Sequence, residues 1–150
     1  MNNFKTSNSL DGSDPVFTLS VISKLSGVPI SSIRQYIDRG LIVPYKKDSS
    51  RHLFSKVDIL RLRYINKLLT EEGLNIAGIR ASMALIPCWA IRLCSTKDRH
   101  QCEAYHSSSG PCWEASEKGR KCKNKDCREC GVYRFLETDK DIKSLIKTLI

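Results

Sequence analysis

All seven cysteines of this 150-residue chain fall between Cys88 and Cys130, and none occurs in the first 87 residues. Both tryptophans, Trp89 and Trp113, lie in the same window. Outside Cys, Trp and Tyr, that window is thin in apolar residues. A segment so poor in core needs a staple to hold a fold. The shift in composition sets a boundary at Pro87. The spacing is Cys88-x5-Cys94-x7-Cys102-x9-Cys112-x9-Cys122-x4-Cys127-x2-Cys130. A repeat runs through it. Pro87-Cys88-Trp89 recurs as Pro111-Cys112-Trp113, and Cys102-x-x-Tyr105 recurs as Cys130-x-x-Tyr133. Cys94 and Cys122 sit between the landmarks of each copy. The pattern is two tandem copies of one loop-rich unit with three thiols each, and Cys127 is the extra.

All seven cysteines are candidate metal ligands. Thiolate donors favour zinc or iron–sulfur centres. Zinc prefers two close Cys pairs. Only Cys122-x4-Cys127-x2-Cys130 has close spacing, and the same run matches plant-type ferredoxins, which need a distant fourth Cys. Iron–sulfur is weighed slightly ahead of zinc, then disulfide or thiol redox chemistry, then inert cysteines. His100 and His106 are nearby non-thiol candidates, against the ordinary reading of solvated surface histidines. The two Trp residues are expected to shield the sulfur site.

The formal net charge is +9, from 25 Lys+Arg against 16 Asp+Glu. Residues 1–86 contribute +5, residues 87–135 +4, and residues 136–150 nothing. Such a balance attracts phosphate, though charge alone is only a footprint. No run of 18 or more apolar residues exists, so no membrane span is expected. Met1 to Pro15 is polar, with Lys5 and no apolar h-region. It reads as a disordered lead rather than a secretory signal. The expected compartment is the reducing cytoplasm, where structural disulfides are rare.

The first half carries helical punctuation. Thr18 can cap a helix whose apolar face holds Leu19, Ile22 and Leu25. Gly27 ends that helix, and Pro29 opens the next. Ile30, Ile33 and Ile37 form the buried face of the second helix. Ser31, Ser32, Arg34, Gln35 and Asp38 form its open face, and Gly40 ends it. Two short helices joined by a Gly-containing turn make a helix-turn-helix, whose second helix enters the major groove. A basic hairpin follows from Tyr45 to Phe54, with Lys46, Lys47, Arg51 and His52 and a turn at Asp48-Ser49-Ser50. Ser55 and Asp58 form a capping box for a third helix. Its apolar positions are Ile59, Leu62, Ile65 and Leu69, with Arg61, Arg63 and Lys67 placed outside. Gly73 breaks it, and a short fourth helix begins near Leu74.

Thr18 through Arg80 resembles the DNA-binding domain of MerR-type transcriptional regulators. The matching residues are Leu25, Gly27-Val28, Ile33-Arg34-x-Tyr36, Gly40-Leu41-x-x-Pro44, Arg51-x-Leu53-Phe54-Ser55, Asp58 and Leu62. Gly73-Leu74-Asn75-Ile76-x-x-Ile79 is most similar to the heat-shock-repressor branch. The resemblance implies a winged helix-turn-helix, with Arg34 and Tyr36 on the DNA backbone and Arg51, Lys46 and Lys47 gripping phosphates from the wing. Contacts of that kind set register rather than sequence choice. Thr18, Ser31, Ser32, Gln35 and His52 complete the candidate DNA-binding set. The cysteine segment resembles the small "two-CW" modules of bacterial proteins.

The expected fold class is mainly α. A disordered lead (1–15) precedes a winged helix-turn-helix (16–86). A loop-rich, metal-stabilised Cys module (87–135) and an amphipathic C-terminal helix (136–150) follow. The expected protein is a regulator on double-stranded DNA, a homodimer, responding to metal or redox state by shifting between two dimer geometries, as the resemblance implies. The neutral tail is either a short dimer contact or a helix packed on its own chain. The alternative is an architectural, excisionase-like DNA binder whose Cys module is only a staple, since Tyr36-Ile37-x-Arg39-Gly40 also resembles those winged helices. No enzyme is expected. Cys127-x-x-Cys130 lacks the βαβ context of a redox site, and no paired carboxylates or phosphate loop occur.

Overall fold

A computed structural model describes residues 14–47, 51–138 and 141–149. The expected turn at 48–50 and most of the expected lead lie outside them. The chain is mainly helical with a small three-stranded sheet. β1 (Phe17–Thr18) leads into α1 (Leu19–Ser26) and α2 (Ile30–Asp38). The wing is β2 (Tyr45–Lys47) and β3 (Arg51–Phe54), antiparallel, with Lys46 opposite His52. β1 adds antiparallel to β3, giving the order β1-β3-β2. The hydrophobic pattern did not announce that third strand.

Thr18 caps α1 by accepting the Val21 N–H at 3.4 Å. Gly27 ends it at φ 75°, where a side chain would be strained. Pro29 stands just before the first residue of α2, where the missing N–H costs nothing. Gly40, at φ 71°, closes α2, and the Leu41 N–H returns to the Tyr36 carbonyl. Glu114 from the cysteine segment covers the spot a Cβ at Gly40 would fill. A Cβ there would push the Glu114 carboxylate aside, and the positive φ is what requires Gly.

α3 (Lys56–Thr70) opens with the Ser55–Asp58 capping box, and α4 (Ile76–Ala84) is capped by Asn75. Beyond Pro87 come the short helices α5 (Cys88–Ile91), α6 (Thr96–His100) and α7 (Glu103–His106). Then follow 3-10 turns at Cys112–Glu114, Cys127–Glu129 and Tyr133–Thr138, and α8 (Ile142–Leu149). Of the helix expected over 136–150, α8 covers Ile142–Leu149, and Ile142 and Leu145 pack on the chain's own core.

The hydrophobic core runs across Pro87. Ile22, Ile33, Tyr36, Leu41, Phe54, Leu62 and Ile65 share one cluster with Trp113, Val132, Tyr133 and Phe135. Each buried aliphatic chain there contributes about 1.5–3 kcal/mol. Four positions differ from the pattern reading. Leu25 and Ile30 are exposed, because α1 and α2 are short and turn only a narrow face inward. Tyr36 is 3% exposed and takes the inward place instead. Arg61, placed outside by its charge, is 1% exposed.

Candidate functional site

The helix-turn-helix and the wing meet at an open groove of about 690 Å³. It is lined by Thr18, Arg34, Arg51 and His52, together with Asp38 and the apolar Ile30 and Ile37. Four of the ten sequence-selected DNA contacts are thereby brought together from three elements. Ser31, Gln35 and Lys46 are exposed beside it, and Ser32 is half-buried. Tyr36 is the correction. Its ring lies in the core, and burial raises its phenol pKa above the usual value. Its placement follows from the helical period, which puts residue 36 three positions after buried Ile33.

Behind α2 lies a second arrangement that the sequence did not reveal. The Arg61 guanidinium sits 3.9 Å from the Tyr133 ring centroid and 4.6 Å from that of Trp113. The two rings meet edge to face at 5.1 Å. Arg61 donates to the Leu41 carbonyl at 2.7 Å through Nε and to the Tyr133 carbonyl at 2.8 Å through Nη1. The Trp113 indole N–H donates to the Gly40 carbonyl at 2.7 Å. The Tyr133 hydroxyl accepts the Val43 N–H at 2.8 Å and donates to Asp58 at 3.3 Å. A buried cation is tolerated here because two carbonyls, two π faces and a nearby carboxylate surround it. Burial raises the Asp58 pKa, while Ser55 and Arg61 oppose that shift. Arg80 adds an ion pair to Glu114 and a hydrogen bond to the Arg39 carbonyl. Arg128 lies 4.6 Å from the Tyr45 ring of the wing. The end of α2 and the start of the wing are thus clamped by residues of the second cysteine repeat.

The other faces of Trp113 and Tyr133 look onto a cavity of about 260 Å³. One water needs only about 10–15 Å³ by the same measure. All seven cysteines line the cavity, with Trp89 and Tyr105 of the first repeat and Arg92, Arg99 and Lys118. The thiols are free. Cys94 lies within electrostatic reach of Cys88 and Cys102, Cys122 of Cys102 and Cys130, and Cys112 of Cys88, Cys127 and Cys130. The neighbouring Cys112 thiol lowers the Cys88 pKa, and Cys88 together with burial raises that of Cys112. Burial also raises Cys94 and Cys122. Among the described residues, no group of three or more His, Cys, Asp or Glu side chains is arranged to hold one metal ion. His100 and His106 do not line the cavity. Both are exposed, and the His106 ring contacts the His100 carbonyl at 3.3 Å. They stand at the ends of α6 and α7, outside the cavity lining.

The repeat is visible in the structure. Pro87 and Pro111 each precede a short helical turn that begins with the cysteine. Trp89 meets Tyr105 edge to face at 5.3 Å, as Trp113 meets Tyr133.

Comparison with known proteins assigns the first half. Residues 17–85 match the family described as MerR HTH family regulatory protein. These residues are a MerR-family helix-turn-helix domain. Over 71 residues the chain is 37% identical to a Streptomyces coelicolor protein named as heat shock protein HspR, covering 47% of each chain. Over 68 residues it is 35% identical to the HTH-type transcriptional regulator GlnR of Bacillus anthracis and of Bacillus cereus. Those alignments cover 45% of this chain and 52% of GlnR. The chain therefore spans about half the length of the curated relatives it matches. No described helix is long and apolar enough to cross a membrane.

Proposed function

We propose that the protein is a DNA-binding transcriptional regulator, acting on double-stranded DNA as a homodimer. Its grip on DNA would respond to the metal or redox state of the thiol cavity. One observation carries the coupling. Trp113 and Tyr133 wall the cavity on one side and hydrogen-bond the backbone at Gly40 and Val43 on the other. A change that moves Cys112 moves its neighbour Trp113. That shift bears on the end of α2 and on the wing, the two parts expected to touch DNA. Arg34, Arg51 and Lys46 would meet phosphates, and Ser31 and Gln35 would face base edges from the exposed side of α2. The MerR-family domain supports the DNA-binding half of the reading. A regulator of this kind works by biasing two geometries of one assembly.

The test begins with duplexes selected by the full chain from a random-sequence pool. Arg34→Ala should weaken binding and lower the slope of log K against log salt by about 1, as loss of one phosphate contact does. Affinity is then compared between the reduced, chelated protein and the metal-loaded or oxidised protein. Trp113→Phe keeps an aromatic ring but loses the bond to Gly40. It should bind the same duplexes while responding less to the thiol state. Equal responses in parent and variant would remove the coupling.

A second reading has support in the shared core. Because Trp113, Tyr133 and Phe135 complete the packing of the helix-turn-helix, the module could act as a scaffold for an architectural DNA binder. That reading gives metal-dependent folding with a DNA affinity that ignores the thiol state.

A further inference from the structure

The seven thiols do not surround the cavity evenly. Cys88, Cys112, Cys127 and Cys130 pack against the hydrophobic core, whereas Cys94, Cys102 and Cys122 are absent from that contact. All four line the one cavity, on the side that meets the core. This grouping gives a place to Cys127, the cysteine that the repeat leaves over. Two thiols come from equivalent positions of the two repeats, and two come from the turn at Cys127–Glu129 and its end. Four thiolates hold a two-iron or a four-iron cluster, and the size of the cavity favours the larger.

The walls fit an anionic occupant larger than one ion. Arg92, Arg99 and Lys118 line the cavity with the thiols. The Nε groups of Arg92 and Arg99 are buried and have no hydrogen-bond partner. Buried donors of that kind normally have one. The Lys118 ammonium donates to the Cys127 sulfur at 3.6 Å. The volume is many times that of a single ion or water. Trp89, Trp113, Tyr105 and Tyr133 close the apolar side, and such a shell restricts water and tunes a cluster's potential.

We infer that the cavity is the site of a four-iron, four-sulfide cluster, ligated by Cys88, Cys112, Cys127 and Cys130, with Arg92, Arg99 and Lys118 balancing its negative charge. The inference deepens the proposed regulator by naming what its thiols carry. Each ligating thiol gives up its proton on binding. The iron and the sulfide come from outside the chain. Cys94, Cys102 and Cys122 stay as free thiols on the outer wall.

The experiment is anaerobic reconstitution of the full reduced chain with ferrous iron and sulfide. The readouts are absorbance near 400 nm, iron and acid-labile sulfide per chain. The expected product is brown, with about four irons and about four sulfides. Cys127→Ser and Cys130→Ser should each lose most of that iron while keeping the parent's helical circular dichroism. Cys94→Ser and Cys102→Ser should retain it. Cys127→Ser is the more useful variant, because residue 127 has no part in the Trp113–Arg61–Tyr133 clamp. A colourless chain that instead takes up one zinc overturns the inference. So does equal loss of iron from inner and outer variants. Binding of the selected duplex, read on the same samples, separates the two claims. A cluster that forms without changing DNA affinity leaves this site standing and defeats the regulatory reading. A thiol-dependent change in affinity without a cluster does the reverse.

Discussion

The two copies of the Pro-Cys-Trp unit have the same local form and different surroundings. In each, a proline opens a turn, the cysteine heads it, and the tryptophan meets a tyrosine edge to face. In the first copy that aromatic pair lies at the periphery. Tyr105 is exposed, Trp89 is half-buried, and the neighbouring ring is His106. In the second copy the pair is buried and holds Arg61 from α3. Duplication explains the shared geometry. A single cation from the other half of the chain explains the difference. The second copy became part of the core of the helix-turn-helix, and the first remained a wall of the thiol cavity. Identical sequence landmarks therefore carry unequal energetic weight.

The largest expected effects come from removing the shared cation or its aromatic partner. Trp113→Ala deletes a buried indole and leaves the Gly40 carbonyl unpaired. It should cost about 3–5 kcal/mol. Trp89→Ala opens a half-exposed site and should cost less than half of that. Urea denaturation of both variants checks the ranking, and equal losses would erase the contrast between the copies. Arg61→Lys keeps the charge but cannot fork to the Leu41 and Tyr133 carbonyls. Its expected cost is about 2–3 kcal/mol, roughly that of a lost hydrogen bond to a charged group. The tyrosines sharpen the comparison on a smaller scale. Tyr133→Phe strips the acceptor from the Val43 N–H and should cost about 1–2 kcal/mol. Tyr105→Phe should stay within about 0.5 kcal/mol, because no comparable buried bond depends on its hydroxyl.

Much of the first half could be read from punctuation. Thr18, Gly27, Pro29, Gly40, Ser55 and Asp58 each act through local geometry, and local geometry is written in neighbouring residues. The buried faces were harder. The pattern alone puts Arg61 in solvent, because a charged residue at an ambiguous helical position defaults outward. Yet it lies four residues from both Val57 and Ile65, and both are buried. That stripe marked residue 61 as inward-facing, and an inward arginine needs π faces and carbonyls. The Trp and Tyr of the second repeat were the available supply. Nothing local said which repeat would provide them, because the contact spans 52 residues from Arg61 to Trp113 and 72 from Arg61 to Tyr133. The thiol cavity was legible as composition and repeat. Its division into four inner and three outer thiols was not, since spacing does not encode which turns face the core.

The smallest effect tests the two copies through their acids. Asp98 belongs to the first copy and Asp126 to the second, and both carboxyls are held below the usual value. The causes differ. Asp98 is held first by the Ser95 backbone N–H and hydroxyl, in the capping box of α6, and only after them by the exposed Arg120 guanidinium at 3.1 Å. Asp126 is held first by the Arg128 guanidinium, at 2.7 Å. A carboxyl whose pKa falls on folding stabilises the protein above its ordinary value, about 3.9. That contribution is lost as the pH falls through the lower, folded value. Both acids should therefore steepen unfolding below about pH 4. Salt separates them, because an exposed ion pair is screened and a cap made of short hydrogen bonds is not. Asp126→Asn should remove part of the acid sensitivity seen at low salt and little of that seen at high salt. Asp98→Asn should lose less of its effect to salt, since only its weaker Arg120 contact is screened. Thermal midpoints across this acid range at two salt concentrations measure it. If both variants prove equally salt-dependent, the first copy is held by charge like the second rather than by its cap.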